Sequence, residues 1–170
     1  MQILQDRTQS ATQEAIDSNF KLFDHSYVFG MQGRMIPVLY PLSCLIKNKS
    51  EARVLIIGPR TEDDIFLAKS LGITNCIGLD LITYSPHIIL GDMHNIPFGD
   101  DEFDAVVFGW SIAYSSDPQL ASSEALRITK HGGLIGIGWE WILPTEKLKD
   151  FNRVNTAADH LDLFKTNKTL

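Results

Sequence analysis

Gly58, Asp80, Asp92 and the pair Gly109-Trp110 are the residues of this chain whose types and spacing could do chemistry together. Each ends or follows an apolar run: Gly58 closes "RVLII", Asp80 closes "CIGL", Asp92 comes two residues after "IIL", and Gly109 follows "DAVVF". An apolar run that ends in glycine and opens into a helix is a common start for a nucleotide-cofactor site, because glycine admits close approach of the backbone. Here "GPRTEDD" lacks the further glycines of a dinucleotide loop, and Glu62, Asp63 and Asp64 stand where a pyrophosphate would rest. Like charges about 4 Å apart repel by roughly 1 kcal/mol even in water, and by more when desolvated. The loop therefore disfavours NAD and FAD. The same three acids also read as a solvated first helical turn that complements the macrodipole.

The elements that must position these residues follow from the apolar pattern. Runs from Arg53 to Ile57, Cys76 to Leu81, Ile88 to Leu90, Asp104 to Phe108 and Leu134 to Trp139 are mostly continuous, as in strands buried on both faces of a parallel sheet. Thr61 is placed to cap a helix through "EDDIFLAKSLG", with Gly72 closing it and Ile65, Leu67, Ala68 and Leu71 facing inward. Asp117-Pro118 starts a second helix, with Leu120, Ala121, Glu124, Ala125 and Ile128 at helical spacing and Gly132-Gly133 as its end. His131 then reads as a helix-end residue favoured by the dipole. Strands alternating with helices predict a doubly wound α/β sheet, which binds ligands beyond the carboxyl ends of its strands.

The chain divides into a helical N-terminal appendage over 1–50, a cofactor-binding core over 51–143 and a helical segment over 144–170, all in one domain of 170 residues. The appendage ends in the turn-rich "HSYVFGMQGRMIPVLYPL" and reads equally as a lid or a brace over the sheet. Twenty-one acids against 15 bases give a net charge of -6, with no basic run for a nucleic acid or an anionic membrane, so a small molecule is the expected partner. No secretory leader and no membrane span is expected, and Cys44 and Cys76 read as two buried thiols in a reducing cytoplasm.

The stretch "LGDMHNIPFGDDEFDAVVFGWSIAYSSDPQLASSEALRITKHGGLIGIG" resembles the class I S-adenosylmethionine-dependent methyltransferases of the small-molecule type. It follows the family's order: a third strand ending in Gly-Asp, an Ile-Pro-Phe turn, an acidic hairpin leading to Phe-Asp and the fourth strand, a Glu-x-x-Arg helix and a Gly-Gly turn. The resemblance implies a Rossmann-like, mainly parallel sheet of about five strands, without most or all of the family's C-terminal antiparallel hairpin. It also implies S-adenosylmethionine as cofactor. Gly58 and Pro59 would then lie against its methionine part. Asp80, with Leu81 beside it, would accept from the ribose hydroxyls, and Asp92 from the adenine amino group with Met93 against the ring. Gly109 and Trp110 would border the methionine moiety. By their residue types alone, Asp92 serves equally as a turn residue, and Met93 and Trp110 as core. Asp104 reads as structural, orienting the start of the fourth strand.

The family's first motif would place an acid at Ile56 and glycines at Arg60 and Glu62, and Glu62 or Asp63 is the expected stand-in for that acid. Methyl transfer needs alignment more than a fixed catalytic group. Tyr114, in the loop after the fourth strand, is the first choice for a substrate-facing residue, and packing beside Pro118 is its alternative. His94, His25 and Tyr27 are further candidates for a base. No Ser/His/Asp constellation or H-E-x-x-H motif is evident in the sequence, and no metal site is expected. The expected activity is methylation of a small molecule, and the expected assembly is a homodimer or a covered edge at the fifth strand, near Trp139 and Trp141. The alternatives are a catalytically inactive methyltransferase-like binding protein and, disfavoured by the loop, a nicotinamide oxidoreductase.

Overall fold

The computed structural model describes residues 2–3, 33–59, 61–139, 154 and 156–165. Five parallel strands form the sheet: β1 (Arg53–Ile57), β2 (Asn75–Asp80), β3 (Ile88–Leu90), β4 (Phe103–Phe108) and β5 (Thr129–Ile137). Their order is β3-β2-β1-β4-β5, so the chain reverses its direction of growth between β1 and β4. A separate two-residue ribbon pairs Gln2–Ile3 with Ile82–Thr83.

Continuous apolar runs became the central strands because both faces of the sheet are covered. Val54 to Ile57 and Ala105 to Phe108 are almost wholly out of water. Strand alternation sends Val54, Ile56, Ala105 and Val107 to one side, under helices α1 (Ile36–Leu45) and α2 (Asp63–Ser70). Leu55, Ile57, Val106 and Phe108 face the other side, under α3 (Pro118–Ile128) and the end of α4 (Ala157–Leu163). At about 1.5–3 kcal/mol for each fully buried aliphatic side chain, β1 and β4 anchor the carboxyl edge firmly.

Several local expectations need correction. Thr61 does not cap α2: the N-cap is Glu62, with no side-chain capping bond, while Gly72 at φ +95° ends the helix as foreseen. Asp117 does cap α3, its carboxylate accepting from the Leu120 N–H at 3.0 Å. That helix stops at Ile128, because Thr129 donates its hydroxyl to the Ala125 carbonyl at 2.6 Å and starts β5 directly. Gly132-Gly133 and His131 consequently lie in a strand, and His131 is exposed there. A Cβ on Gly133 would meet the Thr129 side chain at 2.6 Å and the Lys130 carbonyl at 2.8 Å, and the pairing of β5 with β4 slips register here, so the second glycine serves this irregularity in the strand rather than a helix end. Leu120, expected inward, is 43% exposed, while Ala121, Ala125 and Ile128 are fully buried.

Part of the turn-rich segment is helical: a short 3-10 turn, Gly33–Met35, leads into α1, with Pro37 in the first turn and Pro41 carried inside. Buried Met35, Leu39 and Leu42 hold α1 against α2 and β5. Cys44 is exposed, contrary to expectation, because it lies off the face made by Leu39, Leu42 and Ser43; Cys76 is buried. Asp104 is structural, accepting from the Arg53 N–H at 2.8 Å and from the Lys130 ammonium at 2.9 Å, which ties the starts of β1, β4 and β5. No helix among the described residues is long and apolar enough to cross a membrane.

Candidate functional site

A glycine follows four of the five strands, and the parallel ladder runs on through each. The N–H of Gly91 donates to the Asp80 carbonyl, that of Gly58 to Leu79, of Gly109 to Ile57 and of Gly138 to Phe108, at 2.9–3.0 Å. These N–H bonds extend the sheet one residue past β3, β1, β4 and β5 and leave a carboxyl edge poor in side chains. Between β1 and β4 that edge is narrow: a Cβ on Gly109 would lie 3.3 Å from the Gly58 carbonyl.

Gly58 sits at φ +70°, a left-handed turn that a side chain would strain, and an added Cβ would also overlap Ser111. Ser111 donates its hydroxyl to the Ile57 carbonyl at 2.7 Å, closing the gap between the first and fourth strand ends. Pro59 is buried against β2, its ring 2.8 Å from where Gly78 would carry a Cβ. Trp110 also has a positive φ, 61°, which turns its ring over Gly138, with the Arg34 guanidinium 5.8 Å from the ring centroid. Arg34 pairs with the buried Asp64 at 3.2 Å. Of the three loop acids, Asp64 is thus the one drawn inward, while Glu62 and Asp63 remain half-buried. Tyr84, exposed on the next strand end, has its phenol pushed above the usual range by partial burial and by the charge of Glu62.

Asp80 ends β2, and its Oδ1 accepts from the Ile82 N–H at 3.2 Å, a bond that turns the chain after Leu81. Asp92 is buried one residue past Gly91 and accepts from the His94 N–H at 2.9 Å through Oδ1, so the turn role is real. The same oxygen meets His94 Nδ1 at 2.6 Å, and His94 Nε2 meets Ser115 Oγ at 2.6 Å. A line of Asp, His and Ser therefore exists, although the sequence shows no such constellation. Met93 packs partly buried against the α3 face of the core. Tyr114 is 47% exposed at the end of a 3-10 turn, Ile112–Tyr114.

The structure brings Gly58, Asp80, Asp92, Gly109 and Trp110 to one carboxyl edge, with Pro59 and Met93 turned into packing. His25, Tyr27 and Trp141 lie outside the described residues. Sequence reasoning missed Ser111, Ser115 and Arg34, and with Arg34 the partner that draws Asp64 inward. The signal for Ser115 was its place two residues before the Asp117 cap, where its Oγ accepts the Asp117 N–H at 3.1 Å. Arg34 had no signal, since its contacts lie 30 residues and more away in sequence.

Residues 67–137 match the model of a family described as a methyltransferase domain. A demethylmenaquinone methyltransferase of Renibacterium salmoninarum is 39% identical over 57 residues, which make up 34% of this chain and 24% of that enzyme. The chain thus spans about a quarter or less of the length of the curated relatives it matches. Among solved structures, the cyclase SpnF has a TM-score of 0.58 at 17% identity, covering 95% of this chain and 60% of that one. A sugar N-methyltransferase from a Streptoalloteichus species has a TM-score of 0.55 at 17% identity, covering 86% and 62%. Identities this low speak for the fold, and the fold is the Rossmann-like α/β architecture that these proteins share.

Proposed function

We propose, from the match of residues 67–137 to a methyltransferase-domain family and from the Rossmann-like fold, that this chain is a class I S-adenosylmethionine-dependent methyltransferase, which binds S-adenosylmethionine at the carboxyl edge and methylates a small molecule. The observation that carries the reading is the pair Asp80 and Asp92 at the ends of neighbouring strands, beside the left-handed Gly58 at the point where strand order reverses. Ligands of open α/β sheets bind at that point.

The donor set fits the cofactor. Its edge offers carboxylates and bare backbone rather than a phosphate cradle, and the charge of Arg34 is answered by Asp64, so a cationic ligand meets little repulsion. Asp80 would accept from the ribose hydroxyls, Asp92 from the adenine amino group, and the backbone of Gly58 and Gly109 would flank the methionine part. Leu81, Met93 and Pro59 support these positions, and Trp110 walls the site towards Gly138. When bound, S-adenosylmethionine supplies an electrophilic methyl on a sulfonium. The chain's own part is to orient that methyl and exclude water, with exposed Tyr114 facing the acceptor side. The same reading includes a small-molecule acceptor and a homodimer through the β5 edge.

Calorimetric titration with S-adenosylmethionine, S-adenosylhomocysteine and NAD tests it. Selective binding of the first two is expected, and Asp80→Ala should weaken both by about tenfold or more, the value of a charged hydrogen bond. Binding of NAD alone, or of none of the three, would sink the proposal.

A further inference from the structure

We propose that His94 is a positioning residue that orients the Asp92 carboxylate and ties the segment after β3 to the loop after β4. The proposal rests on the cofactor reading above and deepens it by naming what sets adenine specificity.

The three groups form a continuous line of donors and acceptors. Asp92, His94 and Ser115 are 5%, 6% and 9% exposed, so hydrogen bonds among them compete little with water. With its proton on Nδ1, His94 donates to Asp92 Oδ1 at 2.6 Å, and the Ser115 hydroxyl donates to Nε2 at 2.6 Å. Ser115 Oγ then accepts the Asp117 N–H at 3.1 Å, and the Asp117 carboxylate caps α3 at Leu120. One tautomer satisfies every link from the third strand end to the first turn of α3. A buried chain so satisfied holds its geometry, whereas a broken one leaves polar groups stranded.

Two consequences follow. Asp92 Oδ1 already receives two protein donors, the His94 N–H and Nδ1–H, which fixes the plane of the carboxylate. A carboxylate fixed in this way can read an amino group against an oxygen, which a freely turning one does poorly. Ser115 also adjoins Tyr114, so the same imidazole sets where the acceptor-side loop stands. The line has the order of a serine nucleophile, its base and an acid, but Ser115 is buried and bonded to the N–H two residues on. It serves as a tether.

The test measures, by calorimetry on the full chain, the affinity for S-adenosylhomocysteine and for its hypoxanthine counterpart, in which oxygen replaces the adenine amino group. Wild-type protein should prefer the amino form. His94→Gln reaches Ser115 but offers Asp92 no ring N–H, and should lose about tenfold of that preference, one good hydrogen bond's worth. His94→Asn keeps a donor near Asp92 and should retain most of it. Ser115→Ala, the mildest change, should lose about threefold and stands in if His94→Gln fails to give a cooperative melt. Wild-type preference in folded His94→Gln, or in Ser115→Ala where that serves instead, would overturn the positioning role. Wild-type protein that binds both nucleosides equally would overturn it while leaving the cofactor site in place. Wild-type protein that binds neither would remove the cofactor reading itself.

Discussion

A side chain at position 58 has two costs that can be separated. One is the left-handed backbone, φ +70°, which costs a non-glycine residue roughly 1–3 kcal/mol. The other is overlap with Ser111, whose Cβ and hydroxyl stand where the new Cβ would go. Gly58→Ala should therefore lower stability by roughly 2–4 kcal/mol in urea titration. Adding Ser111→Gly should recover only the overlap part. Full recovery in the double variant would show that the backbone is unstrained, and no recovery that Ser111 does not approach Gly58. Single residues of the candidate site were legible only where a strand end announced them. Asp80 and Asp92 were visible because each closes or follows an apolar run, but the partners of Asp92 were not, since Ser115 lies 21 residues from His94 and only the sheet brings them together. The loop acids were visible as a group, while which of them turned inward was decided by Arg34 from a distant segment.

At the scale of elements, Arg127 joins α3 to the turn that follows β3. It pairs with Glu124 and Asp100 and donates to the carbonyls of Ile96 and Phe98, while Glu124 also accepts the Ile96 N–H at 2.9 Å. The Glu-x-x-Arg spacing seen in the sequence is thus a clamp on the "IPF" turn that precedes the fourth strand. Hydrogen bonds from Arg127 hold the Glu124 carboxyl below its usual value of 4.5, against the opposing effect of burial. Asp104 is also lowered: burial works against this, but the Arg53 N–H and Lys130 outweigh it. A carboxyl whose folded value is depressed stabilises the fold above its unfolded value, and that contribution fades as pH falls through the folded one. Glu124→Gln should cost roughly 1–3 kcal/mol at pH 7 by losing a charge-assisted pair. The gap in melting temperature between wild type and variant should narrow below about pH 4.5. A gap that stays constant from pH 7 to 3 would show that the Glu124 charge is not what the clamp uses. The sequence revealed this helix and its Asp117 cap through local signals, yet misplaced its end by reading Gly132-Gly133 as a stop. A glycine pair can equally mark an irregularity within a strand, and here the register of β5 against β4 slips between Thr129 and Leu134.

The whole molecule has one sheet margin that differs from the rest. β3 is three residues long, a short edge of the kind that pairs poorly with other chains, whereas β5 runs for nine. Among the described residues no strand pairs with the outer side of β5, and Gly133 to Ile137 stay half-buried. The helix that packs on β5, α1, also exposes Ile36, Tyr40 and Leu45 at 50%, 58% and 66%. A long open edge beside an apolar helix face is what a second copy covers most simply, through a two-fold axis that pairs like with like. The five-stranded parallel order was legible because continuous apolar runs admit few alternatives, but the fate of this edge depends on surfaces that no periodicity encodes. Sedimentation velocity should show a dimer at micromolar concentration. Tyr40→Lys with Leu45→Lys, at positions exposed enough to leave the fold intact, should shift it towards monomer by placing like charges across the axis. A wild-type chain that sediments as a monomer across that range would end the dimer proposal and leave the cofactor edge unaffected, because Asp80, Asp92 and Gly58 all lie on elements away from β5.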